Sequence, residues 1–406
     1  MARKMKDSGI EWIGEIPEDW ETTRIGSLYS LRNTKVSDID YPPLSVTMNG
    51  ILPQLETAAK TNDHNNRKLV KKDDFVINSR SDRRGSCGIS KYDGSVSLIN
   101  IVLSPNETMN PEYYNWVFTN PSFSDEFYKW GNGIVDDLRT TNWSKMKNID
   151  VPHPNLEVQE KITYYLNNKI SSIDYLLIKI NDEIEKLENY KKSLITEAVT
   201  KGLDKNVEMK DSGIEWIGQI PKHWSVKQLK YVMNNLNYQR VPVDASKRNK
   251  TSENLYDYYG ATGVIDKIDG YTTVGRNILI GEDGANLIFR NLPLIYIAEG
   301  KYWVNNHAHI LHPKYGNLDF FAYQMEIIDY RNYITGAAQP KLNLENLKKV
   351  KLVCPIQKDQ DKIANYLDKK TKLIDQTISL KQKQLQSLEE YKKSLIYEYV
   401  TGKKEV

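Results

Sequence analysis

The sequence has few of the residues that usually mark a reactive or metal-binding centre. Its 406 residues include only two cysteines and six histidines. Cys87 and Cys354 show no pairing pattern, which excludes a disulfide framework and indicates a reducing compartment. No apolar run approaches the roughly 18 residues of a membrane-spanning helix, and the opening MARKMKDSG lacks the apolar core of a signal peptide. We therefore expect a cytoplasmic, soluble protein.

An excess of charge of one sign is nearly absent. The formal net charge is +3, from 56 basic and 53 acidic residues, so the whole chain gives only weak evidence for a polyanionic partner. Lys and Arg are instead concentrated in segments that look like loops or strand ends, at 65–72, 79–85, 246–250 and 346–351. A solvated surface explains each cluster taken singly.

Catalytic motifs are missing as well. GSCGISK (85–91) has the wrong spacing for a phosphate-binding loop, and WGNGIV (130–135) lacks the strand-to-helix context of a dinucleotide site. YPPL (41–44) lacks the polar first residue and final aromatic of an amino-methyltransferase motif. His307 and His309 would share one face of a predicted strand, but no further ligand follows at metal-site spacing. We predict no metal site, nuclease centre or nucleophile triad.

The sequence does contain an internal duplication. MKDSGIEWIGEIPEDW (5–20) and MKDSGIEWIGQIPKHW (209–224) differ at only three positions, all of them polar. The segment 159–195 also aligns without gaps to 360–396, and both segments end in YKKSLI. The chain is therefore two tandem repeats that meet near residue 204, and the period is far too long for a solenoid.

The middle of each repeat predicts an α+β domain. Short β-type runs such as FVINS (75–79) and NILIG (277–281) stand between turn signals. Predicted helices at 111–120 and 317–331 interrupt the strands. The two middles barely align with each other, so we expect two unlike domains with strand-led cores.

Each repeat closes with a long predicted helix whose apolar residues recur in alternating steps of four and three. This is the pattern of a coiled coil, and the matching stripe of the other helix is available as a partner. A helix of about 30 residues would be ~45 Å long. We expect Tyr190 and Tyr391 to continue the stripes, with Thr371 and Lys381 as polar breaks. The residues predicted to pair are Ile173, Leu177, Ile180, Ile184, Leu187, Ile374, Ile378, Leu385 and Leu388.

The repeated segments 5–20 and 209–224, called anchor segments below, each contain two tryptophans. Exposed tryptophan is uncommon, so we expect each anchor to bury both rings. If a pseudo-twofold axis relates the repeats, Met5 must lie beside the end of the second helix near Tyr399. The chain would then be nearly circular, and each anchor would join its repeat to the long helix of the other.

These features together resemble the DNA-specificity subunit of a type I restriction-modification system. The duplicated anchors, the helices ending in YKKSLI and the two divergent middles carry most of the resemblance. Further matches are LSVTMNGI (44–51), NIDVPHPNLEVQEKI (148–162), VCPIQKDQDKI (353–363) and phrases between 281 and 313.

The resemblance implies an α+β fold. Two globular α/β target-recognition domains would be joined by two long helices packed as an antiparallel coiled coil, pseudo-twofold and nearly circular. The implied boundaries are 1–20 for the first anchor, 21–155 for the first recognition domain, 156–204 for the central helix, 205–224 for the second anchor, 225–356 for the second recognition domain and 357–406 for the C-terminal helix.

The resemblance also implies a division of labour. Each recognition domain would recognise one half of a split site in double-stranded DNA, while two methyltransferase subunits and restriction/translocase subunits perform the chemistry. S-adenosylmethionine, ATP and Mg would then be bound by those partners and no cofactor by this chain. Two alternatives stay open, namely a stand-alone DNA-modifying enzyme and a coiled-coil adaptor that binds only protein.

The residues proposed to contact DNA are polar or charged, and they lie in predicted loops from which they could reach phosphates and base edges. In the first domain they are Thr47, Asn49, Ser79, Arg80, Asp82, Arg83 and Arg84, with Arg139, Thr140 and Thr141 in the loop before the helix. In the second they are Thr262, Asp283, Asn286 and His307, with Gln339 and Lys341 in the equivalent loop.

Two structural explanations compete with these assignments. The arginines at 80, 83 and 84 could form a salt-bridged surface with Asp73, Asp74 and Asp82. Asn49 and Asn286 could serve only as turn residues, because Asn side chains often bond to nearby backbone in turns.

Overall fold

The computed structural model describes residues 3–55, 64–107, 109–133, 139–248, 254–283, 286–336 and 340–406. The chain forms two compact units whose boundaries do not follow the sequence repeats. The first unit combines Met1–Asn181 with Gln382–Val406, and the second is Asp182–Lys381. Each unit therefore contains one middle domain together with a segment of each long helix.

The first unit is an α+β domain with one main antiparallel sheet, in the order β10-β9-β12-β4. Its strands are β1 (Met5–Asp7), β2 (Glu15–Pro17), β3 (Glu21–Arg24), β4 (Tyr29–Leu31), β5 (Lys35–Val36), β6 (Leu44–Thr47), β7 (Gly50–Pro53), β8 (Arg67–Val70), β9 (Phe75–Asn78), β10 (Cys87–Ile89), β11 (Gly94–Ser97), β12 (Asn100–Pro105) and β13 (Asp150–His153). Its helices are α1 (Ile25–Leu28), α2 (Pro111–Thr119), α3 (Pro121–Lys129), α4 (Trp143–Met146) and the start of α5 (Leu156–Lys201).

Strand β9 is buried on both faces, which explains its continuous apolar sequence. Because side chains alternate along a strand, Phe75 and Ile77 join the main core beneath α2 and α3. Val76 points the other way and packs with Val70 and Val102 in a smaller core. The sheet is thus held between two apolar layers, and the strand ends are left to carry polar loops.

The second unit repeats this sheet order as β17-β24-β21-β22. Its strands are β14 (Met209–Asp211), β15 (Gln219–Pro221), β16 (Ser225–Gln228), β17 (Met233–Asn235), β18 (Leu255–Gly260), β19 (Gly263–Asp269), β20 (Thr273–Val274), β21 (Asn277–Gly281), β22 (Ile295–Ala298), β23 (Lys301–Val304), β24 (Ala308–Pro313) and β25 (Lys351–Cys354). Its helices are the end of α5, α6 (Leu229–Val232), α7 (Asn286–Phe289), α8 (Leu318–Ile327), α9 (Leu344–Lys349) and the start of α10 (Gln357–Val400).

The two long helices contain 46 and 44 residues, more than the 30 or so expected. Within each unit the two segments run antiparallel, because residues with higher numbers in α5 contact residues with lower numbers in α10. In the first unit the rings of Tyr165 and Tyr399 lie 4.5 Å apart, and Lys392 pairs with Asp174. In the second unit Lys191 pairs with Asp375 at 2.6 Å, and Lys381 pairs with Glu183. The predicted antiparallel coiled coil is confirmed within each unit.

The buried stripe follows the predicted residues along most of both helices. Ile173, Ile180, Ile374 and Ile378 are buried, and the other five predicted positions are half-buried. Tyr190 and Tyr391 are exposed, so their assignment to the stripe is wrong. Close to the helix ends, Ile195, Leu395 and Ile396 are buried.

The two polar breaks in the second stripe have partners at the seam. Thr371 is buried, and its hydroxyl donates to the Leu367 carbonyl at 2.8 Å. The Tyr323 hydroxyl of α8 lies 3.0 Å from the Thr371 hydroxyl oxygen. Lys381 is half-buried and has its charge paired with Glu183. Burial of polar groups is tolerated here because each has a hydrogen-bonding partner.

The anchor segments join each unit to a long helix of the other repeat, as predicted. In the first unit Ile13, Ile16 and Trp20 share a core with Leu395 and Val400 of α10. The Tyr397 hydroxyl and the Lys403 ammonium both donate to the carbonyl of Ile13, at 3.0 and 2.6 Å. The end of the chain thus packs on its beginning, which confirms the nearly circular path.

The second anchor packs in the same way on the end of α5. Ile217, Ile220 and Trp224 share a core with Ile195 and Val199. Both long helices stop at a glycine in the left-handed region, Gly202 (φ +77°) and Gly402 (φ +72°), where glycine is the least strained residue. A Cβ at Gly402 would clash with Pro17 at 2.5 Å, and a Cβ at Gly202 would lie 3.1 Å from the Trp224 ring.

Burial of all four anchor tryptophans is not observed. Trp20 and Trp224 are buried and Trp12 is half-buried, but Trp216 is 38% exposed. The ring of Trp12 packs edge-on against Phe123 of α3, with centroids 5.8 Å apart. In the described part of the second unit a short 3₁₀ turn, Arg331–Tyr333, follows α8 instead of a helix like α3. No Phe123 equivalent is therefore available to cover Trp216. None of the described helices is both long and apolar enough to span a membrane.

Candidate nucleic-acid interface

Three loops of the first unit lie together at one end of its sheet. The backbone of Arg80 bridges to Thr140, and Thr141 N–H donates to the Ser79 carbonyl at 3.0 Å. The hairpin formed by β6 and β7 lies against the same region, since a Cβ on Gly88 would come within 3.1 Å of the Gly50 Cα. The first candidate surface is defined here as residues 47–50, 79–85 and 139–141, and it brings together all predicted contact residues of the first domain.

Exposed polar groups on this surface are Asn49, Arg80, Asp82, Arg83, Arg84 and Thr140. Arg80 pairs with Asp82 at 2.8 Å, and Arg84 pairs with Asp125 at 2.6 Å while its guanidinium lies over the Tyr128 ring. Arg83 has no ion pair within the described residues. Both ion pairs and Arg83 are solvent-exposed. Exposed ion pairs contribute little to stability, so these arginines can exchange a carboxylate partner for a phosphate.

The competing salt-bridge explanation is therefore only partly right. Asp82 does pair with Arg80, but Asp74 is buried and bonded to Arg32 at 2.6 Å. Asp73 is exposed with a left-handed backbone (φ +71°) at a turn. Only one of the three carboxylates named in the sequence interpretation neutralises this arginine cluster.

Two predicted contact residues are not available to DNA. Ser79 is 5% exposed, and its carbonyl is bonded to Thr141. Thr141 is fully buried, and its hydroxyl donates to the Phe127 carbonyl at 2.8 Å. Both residues fasten the exit loop, 139–141, to the sheet. Thr47 is half-buried and its hydroxyl closes the hairpin turn, because it accepts from Asn49 N–H and donates to the Gly50 carbonyl.

The second unit builds an equivalent surface with different side chains. Leu342 N–H donates to the Glu282 carbonyl at 2.8 Å, and the backbone of Asp283 bridges to Lys341. The β18–β19 hairpin tip lies so close that a Cβ on Gly281 would be 2.5 Å from the Ala261 carbonyl oxygen. The second candidate surface is defined as residues 261–262, 282–283, 305–307 and 341. Gln339 lies outside the described residues.

The polar centre of the second surface is Asp283. Its carboxylate accepts from His307 Nδ1 and lies 3.0 Å from the Lys341 ammonium. Burial of Asp283 disfavours its charged form, but the hydrogen bonds from His307 and Lys341 outweigh this and hold its pKa below the usual range. The backbone bridge between strand end and exit loop joins Arg80 to Thr140 in the first surface. In the second surface it joins Asp283 to Lys341.

The two histidines predicted to share a strand face do not do so. His307 lies in the turn before β24 and is half-exposed. His309 is fully buried in β24, where Nε2 donates to the Leu342 carbonyl at 2.7 Å and Nδ1 accepts from Asn237. Burial lowers the pKa of His309, which keeps the imidazole neutral in this position. His309 therefore supports the loop that carries Lys341.

Asn286 is a turn residue, as the competing explanation held. Its side-chain amide donates to the carbonyls of Leu292 and Pro293, and its oxygen accepts from Leu292 N–H at 2.8 Å. All of these bonds close the loop that follows α7. The Asn286 side chain is thus used within its own loop.

Comparison with known proteins identifies what these paired surfaces belong to. The sequence model of the type I restriction modification DNA specificity domain matches residues 17–186 and again 221–390. This chain belongs to that family. Each match contains one of the two candidate surfaces, so each unit carries one specificity domain.

Related specificity subunits match over nearly the whole chain. The putative type I restriction enzyme MjaX specificity subunit of Methanocaldococcus jannaschii is 24% identical over 96% of this chain and 95% of its own length. The MjaVIII specificity subunit of the same organism is 25% identical over 96% and 93%. A chain from a solved structure on complex assembly and conformational transition of the type I R-M system has a TM-score of 0.72 over 95% of this chain and 98% of its own, at 12% identity. That last likeness shows a shared fold.

Sequence reasoning missed an apolar component of these specificity domains. Met48 stands at the tip of the first hairpin with 77% of its surface exposed, beside Gly85. In the second unit Phe289 is 69% exposed at the end of α7. The signal for Met48 was present in LSVTMNGI, where an apolar residue occupies the turn between two strands.

The described residues offer no metal-ligand cluster and no activated thiol. No group of three or more His, Cys, Asp or Glu side chains among them could hold a metal ion. Both cysteines are buried, and burial raises the pKa of Cys87 to about 12 and that of Cys354 to about 11. Neither thiol is therefore an ionised nucleophile at neutral pH.

Proposed function

We propose that this chain gives a type I restriction-modification complex its DNA sequence specificity, and that each candidate surface recognises one half of a bipartite duplex site. One observation carries the proposal. The same arrangement of hairpin tip, strand-end segment and exit loop occurs twice, with different exposed side chains. A repeated scaffold with different base-contacting groups is what recognition of two unlike half-sites requires.

The exposed groups suit the two parts of DNA recognition. Arg83 can contact a phosphate directly, and Arg80 and Lys341 can do so once their ion pairs exchange. Such contacts supply affinity without sequence preference. Asn49, Thr262 and His307 carry donors and acceptors that can reach base edges in a groove.

The proposed partners are two methyltransferase subunits and the restriction/translocase subunits. The long helices support protein docking, because they expose apolar side chains outside the coiled-coil seam. Ile178 is 69% exposed on α5, and Leu373 and Leu380 are 60% and 67% exposed on α10. Apolar surface of this kind favours a protein interface. In this proposal the chain itself is not catalytic, and S-adenosylmethionine, ATP and Mg are bound by the partners.

The decisive experiment maps methylated adenines in a host that expresses this gene with its methyltransferase subunit. We expect one bipartite motif that disappears when the gene is deleted. Replacing the first recognition domain by that of another specificity subunit should change one half of the motif and leave the other half unchanged. A motif that is not split, or that survives deletion, would contradict the proposal.

Two further measurements separate the alternatives. Methyl transfer or cleavage by the purified chain with DNA, Mg and S-adenosylmethionine would show a stand-alone enzyme. An adaptor that binds only protein would show no affinity for duplex DNA even at low salt. We expect the full complex to bind DNA with an affinity that falls steeply as salt rises, through counterion release.

A further inference from the structure

The second candidate surface contains a hydrogen-bonded group of three side chains with unequal exposure. Asp283 is only 12% exposed, whereas His307 and Lys341 are 50% and 44% exposed. One carboxylate oxygen of Asp283 accepts from His307, and the other lies 3.0 Å from Lys341 Nζ. The carboxylate of Asp283 therefore faces these two neighbours rather than solvent.

The bond to Asp283 determines which imidazole nitrogen of His307 carries a proton. An ionised carboxylate can only accept hydrogen bonds, and the pKa of Asp283 lies below its usual range because His307 and Lys341 outweigh the effect of burial. Nδ1 of His307 must therefore donate. Nε2 has no partner in the described part of the chain, so a neutral imidazole presents an acceptor there and a protonated one presents a donor.

We propose that His307 contacts a base edge through Nε2, with Asp283 as the positioning residue that fixes its orientation and tautomer. This inference rests on the proposed function and specifies how the second surface acts. In the neutral state Nε2 accepts from the exocyclic amine of adenine or cytosine. In the protonated state it donates to an acceptor such as guanine N7 or O6. Preference at one base pair of the second half-site thus depends on pH.

The charged groups around His307 are compatible with this role. Lys341 and Asp283 form an ion pair beside it. Behind them Glu282 pairs with Arg240 at 2.7 Å, and His309 is buried in a neutral form between Asn237 and the Leu342 carbonyl. The Glu282 N–H also donates to the His307 carbonyl at 2.8 Å, which holds the backbone of the turn.

The test uses the full chain in complex with its methyltransferase subunits. Duplexes are selected from a pool randomised across the site, at about pH 6 and at about pH 8. We expect the wild-type complex to shift its preference roughly tenfold at one base pair of one half-site, which is the scale of a single mismatch. All other positions should keep their preference. His307→Gln should bind with a preference that no longer changes with pH.

Two variants of Asp283 test its positioning role. Asp283→Asn keeps an oxygen that can accept from Nδ1, so discrimination at about pH 8 should be retained. Asp283→Ala removes that acceptor and should lose discrimination at the same base pair only. A matched control is His223→Gln, because His223 is 49% exposed and bonded to Asp359 at 3.1 Å, outside either candidate surface. It should retain the pH-dependent preference.

The failures of the inference and of the proposed function are distinguishable. If the wild-type complex selects a bipartite site whose preference does not change with pH, or if His307→Gln matches wild type, the role of His307 is refuted and the specificity function stands. If no sequence is selected at either pH, the proposed function fails and the inference fails with it.

Discussion

At the scale of single residues, what a side chain is bonded to decides whether it can contact DNA. Ser79, Thr141 and Asn286 have the right chemistry, but their burial or local hydrogen bonds commit them to the fold. Arg83 and Asn49 are exposed, and neither has a side-chain bond within the described residues. Residue type alone does not separate these two groups, because the difference lies in partners that come from distant parts of the chain.

Arg83 gives the simplest residue-scale prediction for DNA binding. Replacing it by alanine removes one exposed positive charge, so affinity should fall by roughly tenfold at low salt for specific and non-specific duplexes alike. The slope of log affinity against log salt should decrease by about one. Binding titrations of the complex across salt concentrations provide the measurement. Lys222→Ala is the control, since Lys222 is also an exposed cation and lies on the second anchor. An equal effect there would argue against a specific phosphate contact by Arg83.

Thr141 gives the opposite prediction. Thr141→Val leaves the buried carbonyl of Phe127 without its donor, so the free energy of unfolding should fall by about 1–3 kcal/mol. DNA affinity of the folded protein should be unchanged. Denaturant unfolding and DNA titration together check both parts. Thr141→Ser retains the hydroxyl and should lie close to wild type in stability, whereas a loss of affinity with unchanged stability would restore Thr141 as a contact residue.

At the scale of elements, the seam between the long helices depends on which face each apolar residue occupies. Leu373 and Ile374 are adjacent in sequence, yet Leu373 is 60% exposed and Ile374 is 7% exposed. The alternating four-three spacing predicted this correctly for Ile374. It failed for Tyr190 and Tyr391, which are 56% and 50% exposed.

This adjacent pair gives a matched test of the seam. Ile374→Ala removes buried methyl groups and leaves a cavity, so the free energy of unfolding should fall by about 2–4 kcal/mol. Leu373→Ala changes an exposed position and should cost less than about 0.5 kcal/mol. Chemical denaturation of both variants gives the comparison. Equal losses of unfolding free energy in the two variants would contradict the burial of Ile374 in the seam.

At the scale of the whole molecule, the chain forms each unit from both of its halves. The first unit needs the end of α10, because Leu395, Ile396, Tyr399 and Val400 lie in the same core as the first anchor. The Tyr113 hydroxyl also donates to the Val400 carbonyl at 2.8 Å. The two chain ends are therefore held in one unit. The end of α10 packs on the first anchor there, just as the end of α5 packs on the second anchor in the other unit.

Circular permutation tests this construction. Joining the original ends through a flexible linker of about eight residues, and opening the chain between Gly202 and Met209, should give a protein that folds and supports the same methylation motif. The new ends fall in an exposed connection and break no described core. A permutant opened between Leu176 and Leu177 cuts α5 within the seam and should fold poorly. If both permutants behave alike, the joint between anchor and helix is not a structural requirement.

Much of this protein was determined locally in its sequence. The duplicated anchors, the long amphipathic helices and the strand-led middles could be predicted, because periodicity and turn chemistry depend on neighbours a few residues apart. The closure of the chain followed from the repeat itself. Tertiary structure alone decided that Trp216 lacks the cover that Phe123 gives Trp12, and that Asp283 lies between His307 and Lys341. Those outcomes depend on side chains 24 to 111 residues away, and no local pattern records which distant groups will arrive beside them.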